Sequence, residues 1–162
     1  MSAARKILLL GGIALTVWGM SYGLWYAVFA EHQALEEIGS SLAAGFGGAA
    51  ARNSAFAERA LQQYQQAKYV YDRQVDVHSH WLGLAMLLIV LGIGLDRLTF
   101  SERIKAILSM SALVGSVLFP LGVLLQTVAH GNGPRALAVL GSALVIGALA
   151  AFAVGFARKP AA

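Results

Sequence analysis

Four long apolar runs alternate with polar stretches along the chain. The first is Ile7 to Ala30, the second Trp81 to Leu95, the third about Ile104 to Val128 with one lysine near its start, and the fourth Ala136 to Ala157. A membrane-crossing helix needs roughly 20 apolar residues, and about 17 suffice where flanking side chains snorkel. The second run is short, so its span is extended back to His78. The expected spans are residues 7–30, 78–95, 104–128 and 136–157. A basic start over Met1 to Lys6 and the tripeptide Val28-Phe29-Ala30 imitate a cleaved leader. The first run is longer than the h-region of about 7–15 residues that a leader carries, so it is read as a retained helix.

The stretch between the first two runs also carries a helical pattern. Gly45, Gly47 and Gly48 punctuate it, and Asn53-Ser54 then offers an N-cap with Glu58 in the expected first turn. From there Leu61, Tyr64, Lys68, Tyr71, Val75, His78, Leu82, Ala85 and Ile89 recur at alternating spacings of three and four, which is one helix face. No Pro or Gly interrupts Ser54 to Leu82. The second membrane helix is therefore expected to begin near Ser54, and the first to continue past Ala30 towards Ile38. Their projecting parts would form a helical hairpin over residues 31–77. The other connections are short. Asp96 to Arg103 reads as a tight turn, and Gly131-Asn132-Gly133-Pro134 is a strong turn signal. Short links imply antiparallel neighbours. The pattern predicts an all-α fold: a single membrane domain over residues 1–162, an up-down-up-down antiparallel bundle of four transmembrane helices with an extracytoplasmic helical hairpin.

Composition narrows the class. Of 162 residues, 58% are apolar and only 12% charged, against about 25% charged in a soluble domain. A disordered chain and an ordinary cytosolic enzyme are excluded. The absence of cysteine excludes disulfides, thiolate metal sites and Cys nucleophiles. The net charge of +4 is informative through its distribution. Arg5, Lys6, Arg97, Arg103, Lys105, Arg158 and Lys159 flank the spans on one side. Arg52, Arg59, Lys68, Arg73 and Arg135 lie on the other, together with six of the eight acids. The positive-inside rule then puts both termini in the cytoplasm, and the expected location is a bacterial inner membrane. The expected partners are the lipid bilayer and other membrane subunits or a redox partner. Nucleic acid has no support.

Candidate chemistry rests on four histidines. His32 follows the first run, His78 and His80 precede the apolar part of the second, and His130 follows the third, so three helices are expected to bring imidazole to one depth. His78 and His80 stand about 200° apart on a helix, so both cannot face the core. His78 lies on the apolar stripe and is the expected inward ligand; His80 falls with Arg73 and Asp76 and is expected to point towards headgroups. Gln126, four residues before His130, would orient it. Imidazole suits haem iron, copper or zinc. Haem b would be held by His32, His78 and His130 between walls such as Tyr22, Trp25, Tyr71 and Trp81; a copper or zinc ion would draw on His78, His130, His32 and His80. The competing reading is an interfacial belt of His and aromatic residues. Pro120 in mid-span would kink the third membrane helix and open a cavity, or is a tolerated membrane proline. Ala143, Gly147, Ala151 and Gly155, and Gly19 with Gly23, are small faces for close helix approach. They serve either packing within the chain or a homo-oligomer through the Gly147/Gly155 face.

The segment His78-Ser79-His80-Trp81-Leu82-Gly83-Leu84 resembles small four-helix membrane proteins related to subunit I of haem-copper oxidases, whose second helix opens with His-x-His followed by apolar residues and Gly. The resemblance covers the layout from Val77 to Phe156. Such proteins also carry histidine within the third helix, where Ile107 to Ala112 here has none. Haem bound as the resemblance implies would take its missing ligand from His32 or His130.

Two functions follow as expectations. One is a haem-b or metal-binding membrane protein in electron transfer or redox sensing. The other is a cofactor-free accessory subunit or assembly factor of a larger membrane complex. No phosphate loop, nucleophile triad or mid-span acid pair gives an enzyme reading a foothold.

Overall fold

Long apolar helices must bury their least lipid-compatible faces on one another, and here small residues decide where. The computed structural model describes residues 1–129 and 131–158; His130 and Lys159 lie outside the described residues. Within them are five α-helices: α1 (Ala3–Phe29), α2 (Glu31–Ala50), α3 (Ser54–Gly94), α4 (Glu102–Leu125) and α5 (Asn132–Ala157). Four are long and apolar enough to cross a membrane: α1, α3, α4 and α5. The chain is an integral membrane protein of four antiparallel spans.

α1 starts at Ser2, whose hydroxyl accepts from the Arg5 backbone N–H at 3.3 Å. It breaks at Ala30, and α2 resumes one residue later in place of the expected continuous helix ending near Ile38. The glycines at 45, 47 and 48 do not end α2. It closes on a Schellman motif, in which Arg52 N–H reaches Ala49 O at 3.0 Å and Asn53 N–H reaches Gly48 O at 2.9 Å. Arg52 takes the left-handed position, φ 55°, that glycine usually fills. Asn53 then caps α3, accepting from Phe56 N–H at 3.1 Å. Glu58 lies beyond the first turn, which contains no acid.

At about 1.5 Å per residue the 41 residues of α3 extend roughly 60 Å, twice the hydrocarbon thickness of about 30 Å. Its second half packs antiparallel on α1 and its first half on α2, so α2 and the start of α3 form the projecting hairpin. The buried line on α3 runs Ala60, Ala67, Val77, Trp81, Ala85, Leu88 and Gly92. Leu61 and Val75, on the expected stripe, are exposed. The line follows its partners: Gly48 of α2 meets Phe56 and Ala57, while Gly12 and Gly19 of α1 meet Ala85, Ile89, Trp81 and Leu82.

The membrane helices form two glycine-lined pairs. In the α1–α3 pair, a Cβ on Gly12 would stand 3.0 Å from Ala85 O, and one on Gly19 would meet Trp81 and Leu82. In the α4–α5 pair, a Cβ on Gly141 would stand 2.3 Å from Phe119 N, and one on Gly122 would stand 2.4 Å from Ala138 N. Pro120 is fully buried in that second contact. α4 also packs on α1 and α3, whereas α5 packs mainly on α4, with Phe156 reaching Gly94 of α3. α1 and α5 share no extensive contact among the described residues, unlike the first and last helices of a square bundle. The face of α5 that packs is Ala138, Gly141, Val145, Ala148, Phe152 and Gly155. Of the expected small face, Gly155 is buried against Leu98 and Phe100, while Ala143 and Gly147 are open. The signal Gly131 to Pro134 also reads differently: Asn132, Gly133 and Pro134 already form the first turn of α5, where a proline needs no N–H partner.

At the terminal end Arg5 holds Asp96 at 2.8 Å, tying α1 to the turn after α3. Lys105 is buried with its ammonium on Glu102 at 3.1 Å. On the hairpin Lys68 holds Asp72 at 2.6 Å, and those hydrogen bonds push the ammonium pKa up.

Candidate functional site

Polar and aromatic side chains of α1 and α3 meet where these helices adjoin the hairpin. Close approach there depends on Gly23. A Cβ on Gly23 would stand 2.3 Å from His78 Cε1 and 2.5 Å from Nδ1, so the missing side chain is the seat of the imidazole. His78 Nδ1 lies 3.0 Å from Gly19 O. A carbonyl can only accept, so Nδ1 carries a proton and the neutral ring keeps its lone pair on Nε2. One turn away, the Tyr22 hydroxyl donates to the side-chain carbonyl of Gln74. Trp81 is 2% exposed and meets Tyr22 and Trp18 edge-on, with ring centroids 5.2 and 5.9 Å away. Tyr26 and Tyr71 continue the aromatic column with centroids 6.4 Å apart. The Trp81 indole N–H and the Tyr26 hydroxyl are buried without a partner among the described residues.

His78 faces inward, against α1, as its place on α3 suggested. His80 turns towards α4. Its Nδ1 lies 2.6 Å from Asp76 O, and its ring stands edge-on to Phe119 at 4.7 Å. The Asp76 carboxylate pairs with Arg73 at 3.7 Å. His80 is therefore half-buried between helices, not directed at headgroups. Its own backbone carbonyl four residues back supplies the partner that holds it there.

His32 is exposed on α2. It lies on the far side of the break at Ala30 from Gly23, and α3 packs on α2 there through its first half, not through His78. Gln126 donates to Gly122 O at 3.2 Å, which occupies its amide locally. His130, its expected neighbour, is outside the described residues. Among the described residues no group of three or more His, Asp or Glu side chains stands close enough to hold a metal ion.

Sequence reasoning missed the Tyr22–Gln74 pair and the burial of Trp81. A signal for the first existed: Gln74 is four residues before His78 and shares its face. That Gly23 is paired with an imidazole has no sequence signature.

The hairpin also carries an apolar concavity. A groove of about 360 Å³ lies between α2 and α3, with Leu42, Gly45, Phe46 and Ala49 on one side and Ala57, Leu61 and Tyr64 on the other. Phe46 is 70% exposed beside it.

Fold and site together define a class: a four-span helical membrane protein with a projecting two-helix hairpin. No protein-family model matches the chain, and neither a curated protein nor a solved structure matches it.

Proposed function

We propose that this chain is a cofactor-free accessory subunit or assembly factor, whose projecting hairpin docks an α-helical partner outside the bilayer. The single observation that carries this is the exposed apolar side of α2. Its large residues Leu35, Leu42 and Phe46 are exposed, the last two at the mouth of the groove beside α3, while Ser41 and Gly48 are buried. A lone hairpin with its largest apolar side chains turned to water gains by covering them. Near Phe46, Gly48 meets Ala57, which lies 21 residues before His78 on the unbroken α3, about 31 Å along its axis, so the groove stands well outside the span read from His78. The distribution of Lys and Arg supports an extracytoplasmic hairpin with cytoplasmic termini in a bacterial inner membrane. A photoreactive phenylalanine analogue in place of Phe46 should form adducts with an apolar helical segment in native membranes. The same analogue at Gln66, on the opposite side of α3, should not. Absence of adducts at both positions would refute the reading.

A second reading, a haem-b or metal-binding protein in electron transfer or redox sensing, draws support from His78 alone. An imidazole that donates from Nδ1 to a carbonyl has its Nε2 lone pair fixed for a metal. The described residues offer His78 no second imidazole, because His80 leaves α3 towards α4 and His32 is exposed on α2 past the break at Ala30. A Soret band in the purified protein, lost in His78→Ala and kept in His80→Ala, would favour this reading over the first. A colourless, metal-free preparation would remove it.

A further inference from the structure

Within the membrane-spanning part of the molecule, α1 and α4 touch at Gly11, where a Cβ would stand 2.8 Å from the Leu113 side chain. Beside that contact the seam opens into a cleft of about 340 Å³. Ala14 and Trp18 of α1 wall it on one side, Leu113 and Val117 of α4 on the other, and the buried Trp81 of α3 lines it between them. Trp18 stands edge-on to Trp81, with ring centroids 5.9 Å apart.

The cleft lies between the polar ends of α1. Arg5 pairs with Asp96 six residues before Gly11, and Tyr22 donates to Gln74 four residues after Trp18. At about 1.5 Å per residue those two markers are roughly 26 Å apart, close to the hydrocarbon thickness of about 30 Å. The cleft follows α1 for about 10 Å, from Gly11 to Trp18, and so runs along a membrane helix as lipid chains do. Among the described residues no acid, base, amide or hydroxyl side chain lines it.

Two kinds of occupant reach a cleft at that depth, a lipid chain and another membrane helix. A helix docks closely on small residues repeated every four positions. Ala14 is small and exposed, but the residues four before and four after it are Leu10 and Trp18, themselves exposed. Val17 is exposed beside them. These large side chains hold a helical backbone away from the cleft, whereas a chain of methylenes passes between them. An unfilled cleft leaves its lining atoms without dispersion partners, and an apolar occupant restores them.

We infer that the α1–α4 cleft is a binding site for one phospholipid acyl chain, seated against Trp81. Such a chain touches three helices, where a chain of the surrounding bilayer lies against the outer surface only, so it is held as part of the bundle. The site is independent of what the hairpin docks.

The probe is phosphatidylcholine brominated on its acyl chains, because bromine in contact with an indole quenches its fluorescence. The full chain carrying Trp25→Phe keeps Trp18 and Trp81 as the reporters. Titrated in detergent, the brominated lipid should produce quenching that saturates near one lipid per protein. Ala14→Phe fills the cleft from α1 and Val117→Phe from α4, and each should raise the lipid concentration required at least about tenfold. Ile13→Phe, exposed next to Ala14 but outside the cleft, should leave it unchanged. Quenching that rises with lipid without saturating, or the same titration in all three variants, would overturn the site. So would a photoreactive phenylalanine analogue in place of Trp18 that forms adducts with a polypeptide in native membranes, the result a docked helix gives.

Discussion

Replacing Gly23 by alanine tests the contact that holds α1 to α3 at the hairpin end. The new Cβ would lie 2.3 Å from His78 Cε1, against a comfortable carbon–carbon separation of about 3.5 Å. The three atoms nearest to it all belong to the His78 ring, so the imidazole must retreat by about 1.2 Å. Its Nδ1 starts 3.0 Å from Gly19 O, and a retreat of that size carries it past the hydrogen-bonding limit of about 3.2 Å. The lost bond costs about 1 kcal/mol, and overpacking a further 1–3 kcal/mol or so. Alanine returns up to about 1 kcal/mol of helix propensity, leaving a net loss of about 1–3 kcal/mol. In a His78→Ala background the ring is absent, so Gly23→Ala should be neutral or stabilising by up to about 1 kcal/mol. The coupling between the two sites is then about 2–4 kcal/mol. Reversible unfolding of the detergent-solubilised protein by SDS measures all four corners of the cycle. Tryptophan fluorescence is a local probe, since Trp81 and Trp18 stand beside the site. An equal cost of Gly23→Ala in both backgrounds would show that the imidazole does not occupy the seat described.

The same unfolding assay discriminates the two faces of α5: Gly141→Ala should cost about 1–3 kcal/mol, because its Cβ meets the Phe119 backbone, which cannot swing aside. Gly147→Ala, with open space around it, should be neutral or gain up to about 1 kcal/mol. Arg52→Gly should stabilise the hairpin by up to about 1 kcal/mol by relieving the left-handed backbone of the Schellman turn, read as a higher melting temperature of the helical signal. A cysteine at the exposed Glu36 should react with an impermeant maleimide from outside intact cells, and one at Ser2 only after permeabilisation; the opposite pattern would invert the topology.

The four spans, the Asn53 cap and the helical character of the hairpin were legible along the chain. They depend on local quantities: the length of an apolar run, a capping side chain, and the absence of breakers over Ser54 to Leu82. What lies against each helix face is a different kind of question. The α3 periodicity suggested Leu61 and Val75 as inward, but the buried line is Ala60, Ala67, Val77 and Trp81. Hydrophobic size does not mark the packed face: on the projecting half of α3 small Ala60 and Ala67 are buried while the larger Leu61 and Val75 are exposed. Close approach does, and that is decided jointly by two helices. Gly19 and Gly23 showed in sequence that something comes near α1; that the visitor at Gly23 is the His78 ring required both backbones in register. Gly147 and Gly155 look alike in the chain, yet Gly155 is packed and Gly147 is open, because the four-residue spacing drifts around α5 while the contact with α4 follows Gly141, Ala148 and Phe152. His32, His78 and His80 were assignable to helices from sequence alone. Their separation into a solvent-facing, an α1-facing and an α4-facing group came only from the break at Ala30 and from which helices α3 packs between.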